Sequence, residues 1–206
     1  MPTPMRHASL LSMLLLVAPL TAAKAPVTTP ESKLRSLMFA SEFYVTIEGT
    51  KQGKFKGESV RDREKDKIAG LAFQYEVTSP RDLASGMASG KRQHKPIVFT
   101  KEWGAASPQL FQALTTNEVL KSVLFEFSRT NANGEEYVFQ TIKLTNATVS
   151  AIKQYSAGAT AEGAAASKRS ADAGRQLEDV SMTFQKIEME NRDGKTAAVD
   201  DWMIVR

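Results

Sequence analysis

The sequence predicts an all-β fold, a barrel or a sandwich of two sheets, with one flanking α-helix. Short runs of β-branched and aromatic residues, bounded by Gly, Asn or Ser, recur along most of the 206-residue chain. Within this strand-rich region one helical signal stands out, at Ser107-Pro108, where serine is a good N-cap and proline suits the first helical position. Many strands with one isolated helix are typical of a barrel or sandwich that carries the helix on its outside.

The first strands are predicted from composition and from their boundaries. Residues 43–49 form a β-branched and aromatic run that ends at a glycine, and residues 96–103 form a second apolar run. Residues 53–60 are expected to be a short strand or an extended segment. The charged run 61–67 is predicted to be a solvated turn.

Residues 71–77 alternate between large apolar side chains and small or polar ones, which is the period of a half-buried strand. The face predicted to pack in the core consists of Leu71, Phe73, Tyr75 and Val77. The opposite face is predicted to be wet and consists of Ala72, Gln74 and Glu76.

The second half of the chain contains the helix and the remaining strands. The helix is expected to bury one apolar stripe, formed by Leu110, Phe111 and Leu114. Strands are predicted over 122–129, 136–144, 147–155 and 177–190. Asn133-Gly134 is a strong signal for a hairpin turn, and Asp193-Gly194 predicts a second turn before the tail.

Two long segments lack a buried face. Residues 79–95 are rich in Gly, Ser and basic residues, and long loops of this kind in compact domains are usually functional or interfacial. Residues 156–176 are a low-complexity stretch of Ala, Gly and Ser, which predicts a mobile loop.

Composition excludes several classes of function. The chain has no cysteine, so disulfides, thiolate metal sites and cysteine nucleophiles are absent. Residues 1–25 hold two basic residues and no acidic one, and without them 25 basic residues face 23 acidic ones. A net charge of +2 is too balanced for binding that depends on phosphate contacts, so no nucleic-acid partner is expected.

The N-terminus has the organisation of an export signal. Arg6 precedes the apolar stretch 8–20, which is too short to span a bilayer comfortably, and small residues follow it. Cleavage is expected after Ala23, with Ala25 as the alternative, and a buried or membrane-anchoring helix is the competing interpretation. Residues 26–38 are predicted to be a linker, and no stable membrane insertion of the mature chain is expected.

No catalytic constellation emerges from the sequence. After removal of the signal, His94 is the single histidine, and neither a nucleophile elbow nor a metal-ligand cluster accompanies it. The chain is therefore predicted to have no enzymatic activity, no cofactor and no metal. A hydrolase that uses His94 as its base is a remote alternative.

Four collinear blocks resemble the haemolysin-coregulated protein (Hcp) family, the tube subunits of type VI secretion systems. Residues 90–114 are similar to its sequence of His-x-Pro, Phe-Thr-Lys strand and Ser-Pro-x-Leu helix start. Residues 43–62 are similar to its first strand and Gly-Glu-Ser segment, 133–152 to its central hairpin, and 177–202 to its closing strand and turn. The resemblance covers about 39–202, and residues 39–206 are assigned to one Hcp-like domain.

The resemblance implies a homo-hexameric ring that stacks into a hollow tube, with neighbouring rings, a spike protein and a sheath as partners and small effector proteins in the lumen. It assigns Ala72, Gln74 and Glu76 to the lumen. It assigns a ring-stacking role to the long loop, through Arg81, Asp82, Leu83, Met87, Lys91, Arg92 and His94.

Tube subunits of this family normally lack a signal peptide, which leaves two interpretations of the N-terminus. Either translation starts at Met38, so that the protein is cytoplasmic and then secreted, or the signal directs it to the periplasm or the medium. An exported binding protein that keeps the fold but has left the secretion tube is the alternative function.

Overall fold

The computed structural model describes residues 43–59, 61–156 and 175–203. All described residues belong to one compact unit, Met38–Arg206. The predicted signal (1–25), the linker (26–38) and nearly all of the loop predicted to be mobile (156–176) lie outside the described residues.

The described residues contain eleven strands and one α-helix. The strands are β1 (Phe43–Gly49), β2 (Ile68–Gly70), β3 (Ala72–Gln74), β4 (Val77–Thr78), β5 (Gln93–His94), β6 (Ile97–Glu102), β7 (Leu120–Thr130), β8 (Glu136–Ser156), β9 (Gln176–Thr183), β10 (Lys186–Asn191) and β11 (Thr196–Asp201). The helix, α1, spans Ser107–Thr115, and a single 3₁₀ turn spans Asp62–Glu64. The predicted mainly β fold with one helix is confirmed.

Nine of these strands form one antiparallel sheet in the order β2-β1-β7-β8-β9-β6-β3, with β10 and β11 added beside β8. The first half of β8 pairs with β7 and β10, and its second half pairs with β9. β2 and β3 lie at opposite ends of the strand order but are joined through Leu71, whose N–H donates to the Thr100 carbonyl at 2.8 Å. The two ends of the sheet are thus one stretch of chain, so the sheet curls on itself into a barrel.

The barrel interior is built around aromatic side chains from strands that are distant in sequence. Phe43, Phe73, Phe125 and Phe127 pack with ring centroids 5.1 to 6.2 Å apart, and Phe99 lies 5.6 Å from Phe125. Edge-to-face and tilted contacts at these distances are favourable beyond the area they bury. This aromatic cluster joins β1, β3, β6 and β7, which fixes the position of the short strand β3.

The alternation predicted for 71–77 holds only in part. Phe73 and Tyr75 pack against the core, while Ala72, Gln74 and Glu76 are exposed. Val77, predicted to be buried, is 49 % exposed. The reason is that β3 ends at Gln74, after which the chain leaves β6 and pairs as β4 with β5, away from the core.

The helix buries part of the predicted stripe: Leu110 is buried and Leu114 packs against the core, but Phe111 does not. Its buried residues are Ser107, Leu110 and Ala113, whereas Phe111 is 59 % exposed. Residues three apart share a helix face, and Phe111 lies about 100° round from Leu110. Ser107 is the first helical residue, because the structure places the N-cap at Ala106.

Three strand predictions differ from the structure in continuity. The strands predicted over 136–144 and 147–155 are one strand, β8, which contains a residue with positive φ at Asn146. The strand predicted over 177–190 is divided into β9 and β10 at residues 184–185. β11 was not predicted, and the segment 53–60 contributes a single bridge, between Lys54 and Glu48.

Candidate assembly surfaces

A polar face runs across the outside of β3, β6 and β9. Ala72 lies opposite Thr100, which lies opposite Asp179, and directly paired residues share a face of the sheet. The Thr100 hydroxyl donates to Asp179 at 2.7 Å, and the Tyr155 hydroxyl donates to the same carboxylate oxygen at 3.2 Å. Gln74 continues this face beside Val98. The structure therefore brings Ala72 and Gln74 onto one wet sheet surface.

Glu76, the third residue predicted for the lumen, lies beyond the end of β3. Its carboxylate forms an ion pair with Lys95 at 2.7 Å, and its carbonyl accepts from the Lys95 N–H at 3.0 Å. Both side chains of this pair are exposed, so the ion pair contributes little to stability. Glu76 thus belongs to the base of the long loop.

The predicted loop 79–95 is a projecting hairpin, which we call the arm (77–94). β4 and β5 form its base, and a bridge between Arg81 and Ala88 closes it further out. At the tip one Asp82 carboxylate oxygen accepts three hydrogen bonds, from the N–H groups of Ala84 (2.9 Å) and Ser85 (2.7 Å) and from the Ser85 hydroxyl (3.0 Å). These bonds, led by the Ser85 N–H, lower the pKa of Asp82. The arm ends in a closed turn with its own hydrogen bonds.

The residues assigned to ring stacking divide into two groups. Five of them are exposed on the arm: Arg81, Asp82, Leu83, Met87 and Lys91. Arg92 and His94 instead point into the subunit, where they contact β11. Only the first group is available for contacts with another molecule.

Arg92 and His94 join the arm to β11 through Asp200. The His94 side chain is only 5 % exposed, and its Nε2 lies 2.7 Å from Asp200 Oδ2, while Nδ1 lies 2.5 Å from the Tyr75 hydroxyl. Arg92 Nε donates to the same carboxylate, and Arg92 Nη2 donates to the Asp201 carbonyl at 2.8 Å. We call Tyr75, Arg92, His94 and Asp200 the arm-base cluster.

The polar groups of the arm-base cluster satisfy one another's hydrogen bonds, and their contacts shift the pKa values of Asp200 and Tyr75. The hydrogen bond from Arg92 holds the pKa of Asp200 below its usual range, and the bond from His94 adds to this against the opposing effect of burial. Burial, followed by the charge on Asp200, raises the pKa of Tyr75. The Tyr75 phenol therefore stays protonated and donates to His94. A protonated phenol is a poor nucleophile.

A buried polar network, absent from the sequence predictions, fastens α1 to the sheet. Lys101 and Glu178 are fully buried cross-strand partners, with Nζ and Oε1 3.2 Å apart. The Ser107 hydroxyl donates to the same Glu178 oxygen at 2.7 Å and accepts from the Gly104 N–H at 3.0 Å. Glu58 Oε1 adds a second carboxylate 3.3 Å from Lys101 Nζ. The Phe-Thr-Lys and Ser-Pro elements of the sequence thus meet at one buried site.

One feature of the sequence indicates that a buried network is present, although it was not predicted. Lys101 lies two residues after Phe99 and four after Ile97, and both of these residues are fully buried. Because every second side chain of a strand points to the same face, alternation places the lysine on the core face. A lysine at such a position requires a buried partner of opposite charge. The identity of that partner, Glu178, depends on strand pairing and is not visible in the sequence.

The remaining described residues offer no separate chemical centre. They contain no group of three or more His, Asp or Glu side chains placed to hold a metal ion. None of the helices found in those residues has the length and apolar character needed to cross a membrane. The described residues thus define an antiparallel barrel distinguished by a polar sheet face and a projecting arm.

Comparison with known proteins gives the family. The family profile described as "Type VI secretion system effector, Hcp" matches residues 44–190. The "Major exported protein" of Pseudomonas aeruginosa is 34% identical over 172 residues, which cover 79% of this chain and 96% of that protein. The chain belongs to the Hcp family and is a tube subunit of a type VI secretion system.

Solved structures agree with this assignment. A crystal structure of an Hcp protein aligns with a TM-score of 0.70 at 30% identity and covers 81% of this chain and 100% of its own. The secreted protein Hcp3 from Pseudomonas aeruginosa aligns with a TM-score of 0.62 at 30% identity, covering 80% and 100%. Hcp1 from Escherichia coli aligns with a TM-score of 0.65 at 26% identity, covering 78% and 97%.

Proposed function

We propose that this tube subunit assembles as a closed homo-hexameric ring, and that rings stack into a hollow tube that carries small effector proteins. The observation that carries the proposal is the family match over 44–190, which includes the polar sheet face and the arm. A sheath outside the tube and a spike protein at its tip are the further partners. The subunit has a mechanical role and catalyses no reaction.

The polar face around Ala72, Gln74 and Thr100 is proposed to line the lumen. Next to these residues Asp179 already accepts two hydrogen bonds, and the exposed side chains of Lys153, opposite Asp179, and Glu102 extend the same face with charge. Such a surface is hydrated and offers no large apolar patch that would hold a passing protein permanently. These properties suit a channel whose cargo is loaded and later released.

The arm is proposed to contact the neighbouring ring. Its five exposed candidates, Arg81, Asp82, Leu83, Met87 and Lys91, lie on a hairpin whose shape is fixed by internal hydrogen bonds. A preformed hairpin loses little conformational entropy when it binds, which favours association. Arg92 and His94 contribute indirectly, because they hold the base of the arm against β11.

Sedimentation velocity on residues 26–206 tests the ring. We expect a species with six times the monomer mass at micromolar concentration, and longer stacks at higher concentration. A protein that stays monomeric over this range would overturn the proposal and favour the exported binding protein. Co-secretion with a contractile sheath is the matching observation in cells.

We further propose that residues 1–25, when translation starts at Met1, act as a cleavable export signal, as their composition indicates, whereas a tube assembled in the cytoplasm requires translation from Met38. N-terminal sequencing of the secreted protein is the test. A chain that begins at Lys24 supports the signal, and a chain that begins at Met38 or Phe39 shows that translation starts at Met38.

A further inference from the structure

An open pocket with aromatic walls lies beside the base of the arm. Its cavity volume is about 240 Å³, and its walls are formed by His94, Lys95, Pro96, Thr183, Phe184 and Trp202. His94 packs against the rings of Phe184 and Trp202, with centroids 5.5 and 5.4 Å apart. Sites for drug-sized ligands measure about 300–1,000 Å³, so this pocket has room for a smaller molecule.

The aromatic walls are held in place by hydrogen bonds that lie outside the pocket. Both ring nitrogens of His94 are engaged, with Nδ1 2.5 Å from the Tyr75 hydroxyl and Nε2 2.7 Å from Asp200. The backbone N–H of Trp202 donates to the Gln185 carbonyl at 3.1 Å. A pocket whose walls are fixed before binding loses little conformational entropy when a ligand enters it.

The polar side-chain groups that remain available in the pocket are hydrogen-bond donors. Lys95 forms an ion pair with Glu76 at 2.7 Å, and an ammonium group has three N–H donors, so donors remain for a ligand. The Trp202 indole N–H, which can only donate, has no acceptor within hydrogen-bonding distance among the described residues. The Thr183 hydroxyl is paired with the Thr148 hydroxyl at 2.9 Å. The residues that line the pocket contribute one ammonium group and no carboxylate.

We infer that this pocket binds a small organic acid, a carboxylate carried on a short apolar or aromatic body. The rings of Phe184 and Trp202 receive the body, and the carboxylate accepts hydrogen bonds from the Lys95 ammonium and the Trp202 indole. Hydrogen bonds to an ionised acceptor are stronger than neutral ones, and the same ammonium disfavours a cationic ligand. The inference does not depend on the ring, because all of the lining residues belong to one subunit.

Tryptophan fluorescence tests binding directly, since the chain has two tryptophans, Trp103 and Trp202, and Trp103→Phe leaves only the one in the pocket. Titration of this variant with 4-phenylbutyrate should give a saturable change in emission, with a Kd on the order of 1 mM for a ligand of about a dozen heavy atoms. Two probes separate the contributions: 4-phenylbutyramide keeps the body without the charge, and acetate keeps the charge without the body. Each should bind at least roughly five-fold more weakly. No saturable change with 4-phenylbutyrate, or equal affinity for the amide, would overturn the inference.

Removing the ammonium group tests the role of charge. In the same Trp103→Phe background, Lys95→Met should lower the affinity for 4-phenylbutyrate roughly five-fold and leave the affinity for the amide unchanged. Lys121→Met is the matched control, because the Lys121 side chain is 57% exposed against 61% for Lys95 and also forms a surface ion pair, with Glu48 at 3.5 Å. Equal affinity of the two variants for the acid would show that the pocket does not select a carboxylate, which contradicts the inference.

Filling the pocket tests the location of the ligand. Thr183 is an exposed strand residue that lines the pocket, so Thr183→Phe should block both 4-phenylbutyrate and its amide while the circular dichroism spectrum stays unchanged. Phenylalanine is well tolerated in strands. Thr196→Phe, which places the same ring at an exposed position of β11 that does not line the pocket, is the control and should bind like the parent. A folded Thr183→Phe variant that binds the acid as tightly as Thr196→Phe would place the ligand elsewhere and overturn the inference.

Discussion

Replacing Lys101 with methionine is expected to cost more stability than a change at an exposed charged residue of this subunit. Both Lys101 and Glu178 are fully buried, and the ammonium group lies 3.2 Å from one carboxylate and 3.3 Å from Glu58. Lys101→Met keeps the side-chain length but leaves Glu178 with only the Ser107 hydroxyl and the Gln154 amide as donors. Removing one partner of a buried ion pair typically costs about 3–5 kcal/mol.

The assay is thermal and urea unfolding followed by far-ultraviolet circular dichroism, at a concentration where wild type and variant have the same assembly state. For a domain of this size, 1 kcal/mol shifts Tm by about 2–4 °C, so the expected decrease is roughly 6–20 °C. Lys121→Met is the control, because Lys121 is exposed and its ion pair with Glu48 spans 3.5 Å at the surface. The control should change the free energy of unfolding by less than about 1 kcal/mol.

A double variant determines whether the cost comes from the unpaired charge. Lys101→Met with Glu178→Leu removes both charges and is expected to recover most of the lost stability, since apolar replacements of buried pairs are often neutral or stabilising. A Lys101→Met variant that loses less than about 1 kcal/mol would refute the reasoning. A double variant that is no more stable than the single would show that the network acts through the hydrogen bonds to α1.

Three further predictions concern the surface and the arm base. Gln74→Arg, on the wet sheet face, should leave stability and ring formation nearly unchanged but weaken retention of cargo. Tyr75→Arg should destabilise the subunit because it places a charge against the core. The opposite ranking of the two variants in urea unfolding would mean that the strand register is inverted. His94→Ala should preserve the circular dichroism spectrum and cause no loss of catalytic turnover, while a hydrolytic activity that disappears with this change would overturn the non-enzymatic assignment. The pKa of Asp200 is lowered in the folded protein, so the stability that Asp200 contributes is present above the usual carboxyl pKa of about 4 and is lost as pH falls through its folded value. Urea midpoints measured from pH 6 to pH 3 should therefore fall less steeply for Asp200→Asn than for the wild type, and equal slopes would contradict the argument.

The pattern of apolar, polar and turn residues along the sequence predicts most of the strands and the helix. Period-two alternation and the Asn133-Gly134 turn located the central hairpin, where Gly134 has a φ of 82° and its N–H donates to the Asn131 carbonyl. Ser107-Pro108 located the helix within one residue. These features depend on neighbours in the sequence, which is why the sequence shows them.

The errors occurred where tertiary pairing overrides local preference. Thr145-Asn146 has the composition of a break, yet β8 continues through it because β7 and β10 pair with residues on its near side and β9 pairs with those beyond. Val77 continues the apolar alternation of residues 71–77 but belongs to the arm, where it is exposed. Phe111 continues the apolar run of α1 but lies on the exposed face of the helix. Burial at these positions depends on which strand or helix lies alongside, which alternation alone cannot specify.

The buried pair also connects the interior of the subunit to its proposed lumen. Lys101 faces Glu178 in the core, so the preceding residue on β6, Thr100, faces Asp179 on the opposite surface. A shift of one residue between β6 and β9 would place Lys101 opposite Leu177 or Asp179, and it would leave Glu178 buried without its cation. Because a slip of one residue sends every side chain of a strand to the other face, the energetic cost of misplacing this pair specifies the register. The register in turn decides that Thr100, Asp179, Ala72 and Gln74 form the wet face, so the composition of the proposed lumen is fixed by a charge pair on the far side of the sheet.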